Sequence, residues 1–175
     1  MAQEFETRVL DINTGEMQRK LRALGAKEEP EVLLRRYVFD INPAADEFVR
    51  VRDNGKNITI TYKCKKGSGI SETEEIEVIT NDFDKAVELC SKLNFKGKYY
   101  QENKRHVFHL NSVEFSIDSW PRIPPFLEIE ASSEEKVKEA LKWLELENQD
   151  IGNPTIKSVY ARYRIDLHTI IDLRF

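Results

Sequence analysis

Polar and apolar residues alternate with a period of two along most of this chain, and in places the period lengthens to about 3.6. At the start, Glu4, Glu6 and Arg8 alternate with Phe5, Thr7 and Val9, so a strand there carries its charges on one face. Runs of the same kind predict strands near 3–12, 32–40, 47–53, 58–65, 73–80, 103–110, 112–120 and 126–131. Turn residues such as Asp53-Asn54-Gly55 and Lys66-Gly67-Ser68-Gly69 separate them. Helical spacing predicts helices over 15–25, with Met17, Leu21 and Leu24 on one face, and over 83–94, with Val87, Cys90 and Leu93. A third covers 133–146, faced by Val137, Leu141 and Leu144 and opened by Ser132, with Glu135 at capping-box distance. A fourth starts at Pro154 after Asn153, and the tail LHTIIDLRF carries no pattern that assigns it.

The alternation is ionic in most of these strands. Arg50 and Arg52 share one face, and Thr59, Thr61, Lys63 and Lys65 oppose Ile58, Ile60, Tyr62 and Cys64. Glu75 and Glu77 lie opposite Glu74, Ile76 and Val78; Glu114, Ser116 and Asp118 lie opposite Val113, Phe115 and Ile117; Glu128 and Glu130 lie opposite Leu127 and Ile129. Arg105 follows Asn103 by two residues in a further strand. An antiparallel sheet with one face in water is the general explanation of such a pattern. Here acids adjoin acids and bases adjoin bases at i, i+2, an arrangement that repels itself unless a partner compensates. The amphipathic helices also need an apolar surface to cover. Helices on the apolar faces leave the ionic faces inside. The expected architecture is therefore α+β: an eight-stranded antiparallel β-barrel forming a tunnel, with helices packed on the outside and Glu4, Glu6 and Arg8 looking in.

At 175 residues, with no internal repeat, low-complexity tract or long linker, one domain over 1–175 is expected. Lys plus Arg total 27 against 31 Asp plus Glu, and a net charge of -4 gives no general reason to expect a nucleic-acid polymer. With only Cys64 and Cys90, and no basic-plus-apolar leader, neither secretion nor a disulfide scaffold is expected. No stretch approaches the roughly 20 apolar residues that span a bilayer. The expectation is a cytoplasmic protein without a membrane partner.

Charges enclosed without partners cost several kcal/mol each, so the tunnel should hold ions that neutralise both sets. Arg8, Arg50, Arg52, Lys63, Lys65 and Arg105 suit a compact polyanion, the guanidinium forks matching phosphate oxygens. Glu4, Glu6, Glu128 and Glu130, with Asp118 or the pair Glu75 and Glu77, supply hard oxygen ligands for Mg²⁺ or Mn²⁺. A polyphosphate carrying a divalent metal satisfies both groups.

The ordered set Glu4-Phe5-Glu6-Thr7-Arg8, Arg50-Val51-Arg52, Lys63, Glu75-Ile76-Glu77, Arg105, Asp118 and Glu128-Ile129-Glu130 resembles the CYTH family, the triphosphate tunnel metalloenzymes. The resemblance covers nearly the whole chain, and FSIDSWPRIPPFLEIE looks most like bacterial members labelled class IV adenylyl cyclases. It implies metal ligation by Glu4, Glu6, Glu128 and Glu130, phosphate contacts from Arg50, Arg52, Lys63 and Arg105, and an acidic lining completed by Asp118, Glu75 and Glu77. Arg8 stands where the family usually has lysine, and Asn103 where a lysine often precedes Arg105 by two. A guanidinium stays protonated, so Arg8 can hold phosphate but cannot serve as a general base. Glu4, Glu6, Arg8 and Glu130 are the expected catalytic set.

The expected activity is metal-dependent hydrolysis of a triphosphate: a nucleoside triphosphate such as ATP, tripolyphosphate or thiamine triphosphate. Two alternatives stand beside it: a class IV adenylyl cyclase making cyclic AMP and pyrophosphate, and a non-catalytic polyphosphate or nucleotide-binding module. A triphosphate-containing small molecule is the expected partner, with a homodimer as an option. The remaining features read as structure. KKGSG lacks P-loop spacing and lies between strands, so it is a hairpin turn. His106 and His109 point to opposite faces of one strand and share no metal. Tyr37, Phe39, Trp120 and Trp143 are packing residues, and Cys64 is expected as a buried, inert thiol. Lys157 and Arg162 could close one tunnel mouth, although exposed helix positions are the simpler reading.

Overall fold

The computed structural model describes residues 5–45, 47–65 and 73–175, with only the backbone given for Lys65 and Thr73. The chain runs β1 (Phe5–Val9), α1 (Thr14–Ala23), β2 (Lys27–Glu28), β3 (Val32–Asn42), β4 (Glu47–Asp53), β5 (Ile58–Lys65), β6 (Thr73–Thr80) and α2 (Phe83–Ser91). It continues through β7 (Gly97–Leu110), β8 (Val113–Ser119), β9 (Phe126–Ala131), α3 (Glu134–Leu144), α4 (Ile156–Arg162) and β10 (Asp172–Leu173). The expected limits hold for β4, β5, β6 and β9, whose alternation is cleanest. β7 begins at Gly97 rather than near 103, because Tyr99-Tyr100-Gln101 breaks the alternation while tertiary pairing keeps the backbone extended.

The strands are hydrogen-bonded in the order β1-β9-β8-β7-β3-β4-β5-β6, with β2 and β10 added along β7. The pairs along this path with a resolved register are antiparallel; β10 alone is seen to run parallel to its neighbour. This mixed fold with a large antiparallel sheet and helices agrees with the expected class, but the barrel does not follow. Among the described residues the path ends at β1 and β6 and does not close on itself. Eight strands permit closure, and only pairing between the terminal strands makes it. β2 and β10 went unforeseen because two residues carry no period.

Two compact units divide these elements: residues 1–31 with 104–166, and residues 32–103 with 167–175. In the first, the apolar faces of β1, β8 and β9 bury Val9, Phe115, Ile117, Leu127 and Ile129 against Leu21 of α1 and Val137, Leu141 and Leu144 of α3. Asn13 caps α1 by accepting from the Glu16 amide at 3.0 Å. α3 is capped by Ser133, whose Oγ accepts from the Lys136 amide at 3.3 Å; Ser132 instead meets the Lys136 ammonium. The expected Ser132 cap is thus one residue early, since in an SS pair only the backbone decides which hydroxyl faces the open amides. Ser133→Ala should lower stability by about 1 kcal/mol in urea unfolding and Ser132→Ala by less. α4 likewise opens on Thr155 rather than on Asn153-Pro154.

The second unit packs Phe83, Ala86, Val87 and Cys90 of α2 against Phe39 of β3 and Val51 of β4, with Tyr37, Ile58 and Ile60 at the margin. Cys64 lies beyond the cover of this helix and is half-buried, not buried as expected. Trp120 and Phe39 are buried, and Trp143 packs against the core. Among the described residues no helix is long and apolar enough to cross a membrane.

Candidate functional site

In the first unit the strand register turns separate sequence motifs into rows. Glu6 of β1 stands opposite Glu130 of β9, and Glu130 opposite Glu114 of β8. One step along, Arg8 is opposite Glu128 and Glu128 opposite Ser116; a further step brings Asp118 opposite Arg105. Three glutamates abreast repel one another, a cost that a cation removes. Carboxylate oxygens of Glu6, Glu128 and Glu130 lie within 4.8 Å of one another. Glu114 adjoins them and accepts from Ser116 Oγ at 3.1 Å.

This face is only partly open to water. Glu128 is 6% exposed and Asp118 1%, so both faces of β8 and β9 are largely shielded. Arg8 Nε and Nη2 donate to Glu128 Oε2 at 2.9 and 2.7 Å, and Arg105 Nη2 donates to Glu128 Oε1 at 2.9 Å. Arg105 also clasps Asp118 with Nε and Nη2 at 3.0 and 2.6 Å. Burial by itself pushes the Glu128 carboxyl up, but the charges of Arg105 and Arg8 outweigh it and hold the group below the usual carboxylate range. Burial likewise lowers Arg105, and Asp118 and Glu128 more than reverse it, so the guanidinium stays charged. Of the roughly four lone-pair directions on Glu128, three take guanidinium hydrogens, leaving a single direction on Oε1. Glu128 therefore suits a one-oxygen ligand beside Glu6 and Glu130. The hard, anionic donor set fits a divalent cation such as Mg²⁺ or Mn²⁺.

A segment that sequence reasoning missed covers the free edge of β1. Arg8 N donates to Gly152 O at 2.9 Å, Ile151 N donates to Arg8 O at 3.1 Å, and Val9 bridges Asp150. Two of its groups reach the site, Asn153 Nδ2 donating to Glu6 Oε1 and the Pro154 carbonyl accepting from Arg8 Nη1, while Asp150 accepts from Thr7 Oγ1 on the other face of β1. Nothing in the Asp150-Ile151-Gly152-Asn153-Pro154 stretch alternates, so only its turn residues were legible.

In the second unit the polar faces of β3, β4 and β5 are partly shielded as well. Thr61 is fully buried and Thr59 5% exposed, and the Nε atoms of Arg36, Arg50 and Arg52 are shut away from solvent. Arg50 is opposite Thr61 and Arg52 opposite Thr59. Lys63 pairs with Glu75 at 2.8 Å, and Thr61 Oγ1 donates to Glu77 at 2.6 Å. Arg36 of β3, which the sequence reading did not single out, stands directly opposite Arg52 and donates through Nη2 to Asn103.

The expected residues therefore fall into groups. Glu6, Arg8, Arg105, Asp118, Glu128 and Glu130 come together in one unit; Arg50, Arg52, Lys63, Glu75 and Glu77 come together in the other. Glu4 lies outside the described residues, as does the KKGSG turn after its first lysine, and no side-chain placement is described for Lys65. His106 and His109 meet different acids, Glu28 at 2.9 Å and Glu29 at 3.1 Å. Tyr160, on the buried side of α4, donates to the Pro121 carbonyl at 2.7 Å, whereas Arg162 is exposed and Lys157 half-buried.

An antiparallel sheet with helices, whose strand faces carry carboxylates opposite carboxylates in one unit and arginine opposite arginine in the other, makes a domain of the α+β class. Residues 2–160 match the CYTH domain, and the chain belongs to that family. A Methanocaldococcus jannaschii protein, whose name carries adenylate cyclase as a proposed activity, is 39% identical over 88 residues, half of each chain. The match thus spans about half the length of that relative. A solved structure of a Pyrococcus horikoshii protein superposes with a TM-score of 0.73 at 26% identity, over 87% of this chain and 97% of that one. A Hippeastrum protein proposed as an adenylyl cyclase, whose structure is described as revealing a dominant triphosphatase activity, shares the fold with a TM-score of 0.55 at 17% identity, over 94% and 96% of the two chains.

Proposed function

We propose that the chain is a metal-dependent enzyme that hydrolyses the terminal phosphoanhydride of a triphosphate. The observation that carries this reading is the pair of like-charged rows on strand faces: Glu6, Glu130 and Glu114 in one unit, Arg36 and Arg52 with Arg50 in the other. A divalent cation lowers the repulsion within the first row, and a polyphosphate lowers it within the second. The closed eight-stranded tunnel expected from the sequence belongs to this reading.

Glu6, Glu130 and one oxygen of Glu128 would hold a divalent cation, with Glu4 as a further expected ligand. When bound, that cation supplies charge neutralisation at phosphate oxygens and a water of lowered pKa. Arg50, Arg52 and Lys63 would bind and orient the phosphates, with Lys65 as a further expected contact. Phosphoryl transfer asks little more of a protein than such positioning and electrostatic stabilisation. Held by Glu128 and Pro154, Arg8 orients Glu128 and can offer charge to phosphate. Asp118 does for Arg105 what Glu128 does for Arg8.

Cyclisation is the second reading, favoured by the name of the Methanocaldococcus relative, and hydrolysis is supported by the description of the Hippeastrum structure. One incubation separates them: ATP, and in parallel tripolyphosphate and thiamine triphosphate, with Mg²⁺ or Mn²⁺ and all products resolved by chromatography. ADP with phosphate, or phosphate from tripolyphosphate, is the expected result. Cyclic AMP with pyrophosphate would replace hydrolysis by cyclisation. Binding without any product would leave a polyphosphate-binding module.

A further inference from the structure

We propose that Asn153 is a positioning residue for the candidate metal site: its amide presets the Glu6 carboxylate for a small octahedral cation such as Mg²⁺ and so sets the choice against Ca²⁺. This rests on the metal reading above and adds to it a residue outside the carboxylate set. Asn153 Nδ2 donates to Glu6 Oε1, across 147 positions of sequence. Arg8, the neighbouring cation, gives its short bonds to Glu128 and comes only within 4.0 Å of Glu6.

The amide is anchored on both flanks. On one, Arg8 N donates to Gly152 O at 2.9 Å and Ile151 N donates to Arg8 O at 3.1 Å, so residues 150–152 run along β1. Asp150 Oδ1 accepts from Thr7 Oγ1 and, at 2.7 Å, from the Gly152 amide, closing a turn in which Gly152 holds φ at +69°. A side chain at 152 would strain that left-handed backbone. Pro154 then disfavours helical backbone at Asn153, and its carbonyl accepts from Arg8 Nη1. On the other flank α4 is capped by Thr155 and fixed by Tyr160, whose hydroxyl donates to the Pro121 carbonyl at 2.7 Å. Asn153 is half-buried between these anchors, and it passes their rigidity to the carboxylate it holds.

The residue type suits this task. A lysine or arginine at 153 would neutralise Glu6, as Arg8 and Arg105 do Glu128, and would compete with a bound cation. A carboxylate at 153 would have no hydrogen to donate. An amide N–H fixes the rotation of the Glu6 carboxylate and leaves its charge in place. Hydrogen bonds that orient a ligating carboxylate in this way tune the metal as well as the ligand. Mg²⁺ demands near-ideal octahedral geometry, whereas Ca²⁺ accepts more oxygens in adaptable arrangements. A carboxylate of set direction therefore favours the smaller ion, and a loosened one gives that preference up.

The test is Mn²⁺ binding to the full chain without triphosphate, read from the free-ion electron paramagnetic resonance signal, with Mg²⁺ and Ca²⁺ affinities measured by competition. Asn153→Ala should weaken Mn²⁺ and Mg²⁺ binding roughly ten- to hundredfold, the range for a lost partner of a metal ligand, and Ca²⁺ binding by less. Asn153→Gln, which keeps an amide donor, should regain part of the loss. In a Glu6→Gln background Asn153→Ala should have little further effect, the signature of a residue acting through Glu6. Melting curves in chelator establish that each variant is folded. Wild-type Mn²⁺ affinity in Asn153→Ala would overturn the proposal and leave the residue as a tie between the 150–154 segment and β1. Losses equal for Mg²⁺ and Ca²⁺, or a loss that persists in full in Glu6→Gln, would overturn it as well. A wild-type protein that binds no Mn²⁺ would instead overturn the metal site itself.

Discussion

Glu130→Gln is expected to reduce metal-dependent triphosphate turnover by about 100-fold or more while leaving the protein folded. Glu130 is the middle of three abreast glutamates, opposite Glu6 on one side and Glu114 on the other. Replacing it removes one oxygen of the proposed metal site and two like-charge repulsions at once. The signature is therefore double: Mn²⁺ affinity falls, and the melting temperature in chelator stays level or rises. Glu6→Gln should behave in the same way, with the added feature that Asn153 loses a charged acceptor. Turnover and Mn²⁺ affinity equal to wild type in Glu130→Gln would remove this residue from the metal site.

Glu128→Gln should have the opposite balance and cost stability even in chelator. Its carboxylate is the common acceptor of Arg8 and Arg105. Removing one partner of a buried pair leaves the other charge uncompensated at about 3–5 kcal/mol. The lower end applies here, since Arg105 is 26% exposed and keeps Asp118. The same carboxylate links folding to pH. Its pKa is depressed in the folded protein, so the unfolded chain binds the proton more tightly and stability rises with pH across this range. The contribution is complete above the unfolded value of about 4.3 and is lost as pH falls through the folded one. Urea midpoints measured from neutral to acid pH should decline in wild type, and Glu128→Gln should start lower and decline less. Parallel curves for the two proteins would show that Glu128 does not carry this linkage.

Arg8 shows why the two glutamates differ. The opening alternation placed it on the charged face with Glu6, which is correct, but the period says nothing about what an arginine there touches. Its guanidinium is held by Glu128 and by the carbonyl of Pro154, partners 120 and 146 residues away in sequence. Glu130 has no arginine opposite it, whereas Glu128 does. Two identical side chains in one strand, two residues apart, thus face an arginine in one case and a glutamate in the other by register alone.

The period of two was enough to locate β4, β5, β6 and β9 to the residue and to separate an ionic from an apolar face, because alternating burial is a local property of a pleated strand. It also exposed Glu6, Glu128, Glu130, Arg50 and Arg52 as unusual, since like charges at i, i+2 demand an explanation that solvent alone does not supply. It could not find Arg36, which sits beside Arg35 in a run without alternation of charge, nor Asn153, which lies in an irregular segment. Glu114 was visible on its face but not beside Glu130. Which serine caps α3, which strand ends stay unpaired, and which charges stand abreast are properties of pairs distant in sequence. Local chemistry determined the strands, their faces and the ions they call for. Tertiary register decided which carboxylates and which arginines stand abreast, because that choice lies in hydrogen bonding between strands and leaves no periodic trace within any one of them.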